Sequence, residues 1–239
     1  TTTTTNANAN ANQSMRAKAS FLRAKVLLLD GDWDAAEAAA IAAMEWTAQQ
    51  RHLAATGAAV GGDHLARALR AAESLIHRVA SQRKAHEAAV AHVAHKRFEP
   101  AFWTATRALK LSWRSFPLYL LRARSSVELN LYSQAKVDVS AALQLQPNSP
   151  DALKVLADAL RRCVRTSGAL RAAVGVLRDC LRSSPDDLEC RNQLRRDRQL
   201  LQLLDKSREA EKRKDWKTAG ETLRAFAIAD DVSGLFRTE

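Results

Sequence analysis

The chain has 239 residues, with 37 Lys and Arg against 26 Asp and Glu and a formal net charge of +11. Its 8 Gly and 5 Pro, set against abundant Ala, Leu, Arg and Glu, point to an all-α chain. No run approaches the roughly 18 apolar residues a membrane span needs, and no Gly-rich phosphate loop, nucleophile elbow or zinc-protease pattern supports catalysis or a cofactor.

Segment 1–14, TTTTTNANANANQS, is polar and of low complexity, and it buries too little to offset its ordering entropy, so it reads as disordered. The first residue is Thr and no apolar leader is present, as expected of a processed or excerpted piece. Met15–Leu29 and Asp34–Gln49 read as two helices joined at Gly31-Asp32, followed by a loop over 50–62 that holds Gly57, Gly61 and Gly62. From Asp63 to Glu99 there is no Gly or Pro, and Leu65, Leu69, Ala72, Leu75, Ile76 and Val79 keep a helical period. This stretch reads as a long connecting helix that runs into the next hairpin, with Pro100–Leu111 as its partner. Two further hairpins follow, Pro117–Leu129 with Ser133–Gln146 and Pro150–Cys163 with Ala169–Ser183. A second Gly/Pro-free run, Asp186–Ala219, leads into a turn at Asp215-Trp216. The two long helices divide the chain into blocks at 15–62, 63–185 and 186–239.

The hairpins repeat. Leu22-Arg23-Ala24-Lys25, Trp33 and Ala36 recur as Leu121-Arg122-Ala123-Arg124, Tyr132 and Ala135, each pair 99 positions apart. An aromatic three residues before an Ala occurs at Trp33/Ala36, Phe98/Ala101, Tyr132/Ala135 and Trp216/Ala219. Seven residues further on stand Ala43, Ala108 and Ala142, and Cys180 fills that place in another copy, seven after Ala173. Antiparallel helices approach closely only where side chains are small, and an aromatic at the turn plugs the end of the hairpin. The spacing of 34 from Ala101 to Ala135 is that of the tetratricopeptide (TPR) repeat. The fold class is therefore an all-α, TPR-type helix-hairpin solenoid with two long connecting helices.

Residues 161–198 hold ten Arg against five acids, but charge elsewhere is mixed and the aromatics belong to repeat packing. A solvated helical face fits this better than a nucleic-acid footprint. His92 and His95 share one helical face, but no Cys or carboxylate at suitable spacing completes a four-ligand set, so no metal site is expected. Cys180 and Cys190 flank a helix–turn–helix that could bring them within bridging reach, while Cys180 also fills a small packing position; spacing alone leaves both roles open. Cys163 sits at the far end of its hairpin and reads as a buried small side chain.

The stretch Leu177-Arg178-Asp179-Cys180-Leu181-Arg182 through Cys190, then Leu200–Lys214, Asp215-Trp216 and Ala219, resembles the middle of a known family. That family is the endoplasmic-reticulum TPR co-chaperone with a C-terminal J domain, the inhibitor of the interferon-induced protein kinase. Leu27–Ala43 and Ala72–Trp113 resemble earlier parts of it, collinearly and at low identity. The resemblance implies a Cys180–Cys190 disulfide, an endoplasmic-reticulum lumen location, unfolded client proteins as partners and a lumenal Hsp70 as co-worker. The His-Pro-Asp tripeptide of a J domain does not occur in the sequence, so the resemblance covers the repeat region only.

In this fold, positions 2, 5, 9 and 12 of each first helix line the concave face. That register puts Phe21 and Leu28, Val90 and Val93, and Leu120 and Val127 there as client-binding candidates, and then Asp151, Lys154, Asp158 and Arg161. Two alternatives stand beside client binding. A cytosolic adaptor for Hsp70 or Hsp90 tails would need Lys and Asn at positions 5 and 9, where Lys154 fits and Asp158 does not. A basic helical-repeat RNA-binding protein would need repeats of constant length, against spacings of 34, 38 and 46 here.

Overall fold

The computed structural model describes residues 15, 18–55, 62–163 and 166–231. Segment 1–14, expected to be disordered, and the glycines 57 and 61 lie outside these residues. The described residues form an all-α TPR solenoid. After α1 (18–30) come α2 (Trp33–Ala55), α3 (Gly62–Ala94), α4 (Phe98–Leu109), α5 (Phe116–Glu128) and α6 (Tyr132–Leu145). They are followed by α7 (Pro150–Cys163), α8 (Ser167–Ser183), α9 (Leu188–Lys212) and α10 (Trp216–Asp231). None of these helices is long and apolar enough to cross a membrane.

The small residues picked out by the repeat are where helices meet. Ala36, Ala101, Ala135, Ala173 and Ala219 are all buried, as are Ala43, Ala108, Ala142 and Cys180 seven residues later. A third small position, twelve before the first, is equally closed: Ala24, Ala89, Ala123 and Ser207. Each is closed to solvent, so a larger side chain there would push the hairpin apart.

The turns share one backbone device. Gly31, Lys96, Asn130 and Lys214 all have positive φ, and each lies two residues before the turn aromatic. In each turn the following N–H reaches back across the helix end, as in Asp32 N to Leu27 O at 3.0 Å and Leu131 N to Ser126 O at 2.8 Å. Arg97 N to His92 O at 2.8 Å and Asp215 N to Ala210 O at 2.9 Å complete the set. This is the Schellman closure, which satisfies orphan carbonyls and reverses the chain. Gly31 is required at its position, because a Cβ there would run into Ser115 as well as meet the steric cost of φ +82°.

Most boundaries fall within about two residues of the sequence expectation, and two differ by more. α2 continues to Ala55, because Gln49 through Ala55 are helix formers and carry no breaker before Gly57. α3 ends at Ala94, because Lys96 adopts the left-handed closing position although no Gly or Pro marks it.

The chain falls into two compact units, Thr1–Leu118 and Tyr119–Glu239. In the first, the 33-residue α3 packs on α2 and then on α4. Leu28, Leu75 and Val79 are fully buried there, and Arg83 on α3 donates to Glu37 on α2 at 2.6 Å. In the second, α8 is held between α7 and α9 around Leu153, Ala157, Ala173, Leu177 and Leu194. Arg122 grips the fully buried Asp138 through two hydrogen bonds of 2.8 and 2.6 Å, joining α5 to α6. Thr166 and Asp187 cap the N-termini of α8 and α9 through their side chains.

Candidate functional site

The six apolar residues expected to line a concave face divide into two groups. Leu28, Leu120 and Val127 are core residues, 1%, 8% and 2% exposed, and are not available to a ligand. The reason lies in the helix period. Leu28 is four residues from the fully buried Ala24, and Leu120 and Val127 lie three before and four after the fully buried Ala123. Residues at those spacings share a helix face, so the small residue that lets the helices close also draws its apolar neighbours into the hairpin. Their assignment to an open groove is corrected accordingly. Phe21, Val90 and Val93, all in the first unit, remain accessible: Val90 is 43% exposed and the other two are half-buried. The Lys25 ammonium stands 4.6 Å from the Phe21 ring centre, the reach of a cation–π contact.

In the second unit the matching positions carry charge, and the charges satisfy one another. Lys154 on α7 lies 3.1 Å from Asp151, 3.3 Å from Asp187 and 2.8 Å from Glu189. Burial works to lower the Lys154 pKa, but its hydrogen bonds and charge interactions with Glu189 and Asp151 outweigh it, and the ammonium is held above its ordinary value. Asp187 is held below the usual carboxylate range, first by the Cys190 backbone N–H, which donates to it at 2.9 Å, and then by Lys154. Further along the same face Asp158 is shared by Arg161 and Arg162, Arg161 also reaches Asp197 at 3.5 Å, and Arg162 reaches Glu128 at 3.1 Å. Arg124 lies 3.6 Å from Asp151. The result is a ladder of ion pairs linking α5, α7 and α9. Sequence register placed Asp151, Lys154, Asp158 and Arg161 on this face; it did not show that Asp187, which caps α9, and Glu189 and Asp197 on α9 complete it.

Asp187 also sits at the cysteine turn. Cys180 at the end of α8 and Cys190 at the start of α9 are both fully buried and joined through their sulfurs, with Cα atoms 6.5 Å apart, while Cys163 is free. Cys180, Asp187 and Cys190 bring ligand atoms within 4.8 Å of one another, but sulfurs engaged with each other offer no thiolate to an ion. His92 and His95 belong to no such group among the described residues. The Arg excess of 161–198 surfaces in part as Arg191, Arg195 and Arg198, which line one side of α9 with Gln199 and Gln202 and no aromatic among them.

Sequence reasoning passed over several exposed apolar residues. Leu22 and Val26 on α1 are 60% and 52% exposed, and Trp216 and Leu223 on α10 are 69% and 43% exposed. Trp216 matches the turn aromatics in sequence, yet it is open to solvent where Trp33 is 8% exposed and stacks on His86 at 4.5 Å.

No protein-family model and no curated protein matches the chain in sequence. Among solved structures the chain is similar to the P58(IPK) TPR domain, with a TM-score of 0.62 and 16% identity over 90% of its length. It spans 54% of that longer chain. It is also similar, over about half its length, to the Arabidopsis OM64 TPR domain, with 22% identity and a TM-score of 0.46. The first TPR of Spaghetti (RPAP3), solved bound to an HSP90 peptide, matches over 50% of this chain with 20% identity and a TM-score of 0.45.

Proposed function

We propose that this chain is a non-catalytic, protein-binding TPR module of co-chaperone type. It holds unfolded or misfolded client proteins in the endoplasmic reticulum lumen and works with an Hsp70. The observation that carries the reading is the accessible apolar set of the first unit, with Val90 43% exposed and Phe21 and Val93 half-buried at first-helix positions. Apolar side chains left open on a rigid helical scaffold suit the hydrophobic segments that a non-native protein exposes. The lumen is supported by the Cys180–Cys190 pair, since an oxidising compartment sustains a bond that the cytosol reduces. The P58(IPK) TPR domain supports the architecture on which the reading rests.

A cytosolic adaptor for Hsp70 or Hsp90 tails meets a specific obstacle. A clamp for a peptide carboxylate needs a Lys with a free valence. Lys154 is surrounded by Asp151, Asp187 and Glu189, so an incoming carboxylate would have to displace one of three already in place.

The test is suppression of aggregation of a heat-denatured model client. The wild-type chain lowers light scattering, and a Phe21→Glu, Val90→Glu double variant that keeps its helical circular dichroism does so less. Equal suppression by the two proteins refutes the site. In parallel, a fluorescent peptide with an Hsp90-type C-terminus shows no saturable anisotropy change; saturable binding lost in Lys154→Ala would favour the adaptor reading instead.

A further inference from the structure

We infer that the exposed arginine face of α9, made of Arg191, Arg195 and Arg198, docks an acidic helix of a partner protein. Register locates the face. Leu153, Ala157 and Leu160 of α7 pack in one cluster with Ala173, Val174 and Leu177 of α8. The residues 38 positions later, at the spacing that separates Ala135 from Ala173, are Arg191, Arg195 and Arg198. α9 begins as a first helix does, since Cys190 and Leu194 join the cluster around α8. Its small buried residue comes only at Ser207, beside the turn into α10. The place that Ala24, Ala89, Ala123 and Ala157 hold as buried small residues is taken at this point by an exposed arginine, Arg195.

The charge on this face is unbroken. Steps of four and three put Arg191, Arg195 and Arg198 on one side of the helix, about 10 Å from first to last, and all three are exposed. The residues three and four positions from Arg195 are Arg191, Asn192, Arg198 and Gln199, none of them acidic. Among the described residues neither Arg195 nor Arg198 pairs with a carboxylate, and Arg191 donates to the Pro185 carbonyl at 2.8 Å. Other arginines of this unit do find anions: Arg122 has Asp138, Arg162 has Glu128, Arg171 has Asp205 and Arg182 has Asp179. The C-terminal half of α9 mixes its signs, with Asp205, Lys206, Arg208, Glu209, Glu211 and Lys212. Like charges at helical spacing destabilise a helix, and a bound anion relieves that repulsion.

The chemistry selects the occupant. Guanidinium forks take carboxylates in paired hydrogen bonds, and a helix with Glu at i, i+4 and i+7 presents three of them at the matching spacing. A helix suits the place because the equivalent face of α7 holds α8. Gln199 and Gln202 flank the arginines, and no aromatic lines the face to stack a base. Exposed ion pairs are individually weak and screened by salt, so the complex forms in the range of about 10–100 µM at low salt.

Fluorescence anisotropy with a labelled Ala-rich peptide of about 20 residues, long enough to hold a helix, carries the test. Glu at spacings of four and three gives the peptide one acidic face. It binds the full chain saturably at about 50 mM salt and roughly tenfold more weakly at about 300 mM, and the same peptide with Gln for Glu does not bind. An Arg195→Gln, Arg198→Gln variant changes exposed residues, keeps wild-type circular dichroism and binds at least about fivefold more weakly. An Arg107→Gln, Arg224→Gln variant has the same net charge, also changes exposed residues, and binds as the wild type does. An Arg195→Glu, Arg198→Glu chain takes the peptide with Lys for Glu instead. Absence of saturable binding overturns the inference, as does equal weakening in the two Gln variants, which marks net charge alone. Failure of the reversed pair to bind overturns it too. So does a single-stranded RNA oligonucleotide that binds more tightly than the peptide and is lost in Arg195→Gln, Arg198→Gln, since the face would then belong to nucleic acid.

Discussion

Removing the Cys180–Cys190 bond is the perturbation whose consequence can be worked furthest. The bond closes a loop of ten residues between two helices. A loop of about 10 residues carries a chain-entropy term of about −9 cal/mol/K, or ~2.7 kcal/mol of stability at 25 °C. Other contacts hold the same turn: Asp187 accepts from the Cys190 N–H at 2.9 Å, Lys154 bridges to Asp187 and Glu189, and Leu177 packs with Leu194. Reduction therefore weakens the second unit without releasing α9 outright. In urea unfolding followed by circular dichroism, with a slope of ~1–3 kcal/mol/M, the midpoint of the oxidised chain exceeds that of the reduced chain by roughly 1–2.5 M. A Cys180→Ala, Cys190→Ala variant ignores the reductant and unfolds near the reduced wild type. Mass spectrometry of non-reduced, alkylated peptides gives a linked Cys180–Cys190 peptide with Cys163 alkylated. Identical midpoints with and without reductant, or three alkylated cysteines after oxidising preparation, would refute the reasoning.

Asp138→Asn leaves the Arg122 guanidinium, which is only 16% exposed, without its anion. The cost is about 3 kcal/mol, read as a fall in thermal midpoint, whereas an Asp138→Met, Arg122→Met pair restores most of the loss because no charge is left buried; equal instability of the single and double variants would contradict this. His86 gives a pH dependence. Burial, opposed by Glu87, holds its pKa below the usual value, so the unfolded chain takes up the proton more readily than the folded one. Its contribution is present in full above about pH 6.5, the unfolded value, and is lost as pH falls through the lower folded value. The midpoint of the first unit should therefore drop between about pH 7.5 and pH 5, and a His86→Gln variant should flatten that drop, a result that a thermal scan in a pH series decides.

The sequence by itself determined the fold class and the register. A recurring small residue leaves a mark at constant spacing because close helix approach tolerates no other size, and each Ala of that pattern proved buried. It also determined the two long helices, since Gly and Pro are absent over both stretches. It did not determine where α3 stops, because Lys96 adopts a left-handed conformation that composition does not advertise. The candidate site was legible only in part. Register correctly grouped Asp151, Lys154, Asp158 and Arg161, but some of the carboxylates that complete their pairing stand some 35 residues away, as Lys154–Glu189 shows. Exposure was the property that only the tertiary structure decided. Leu28, Leu120 and Val127 share their residue types with Val90 and Val93, and on a helix one step of 100° separates a side chain in the joint from one in water. Which side of that step each residue takes depends on the helix packed against it, and a local pattern does not contain that neighbour.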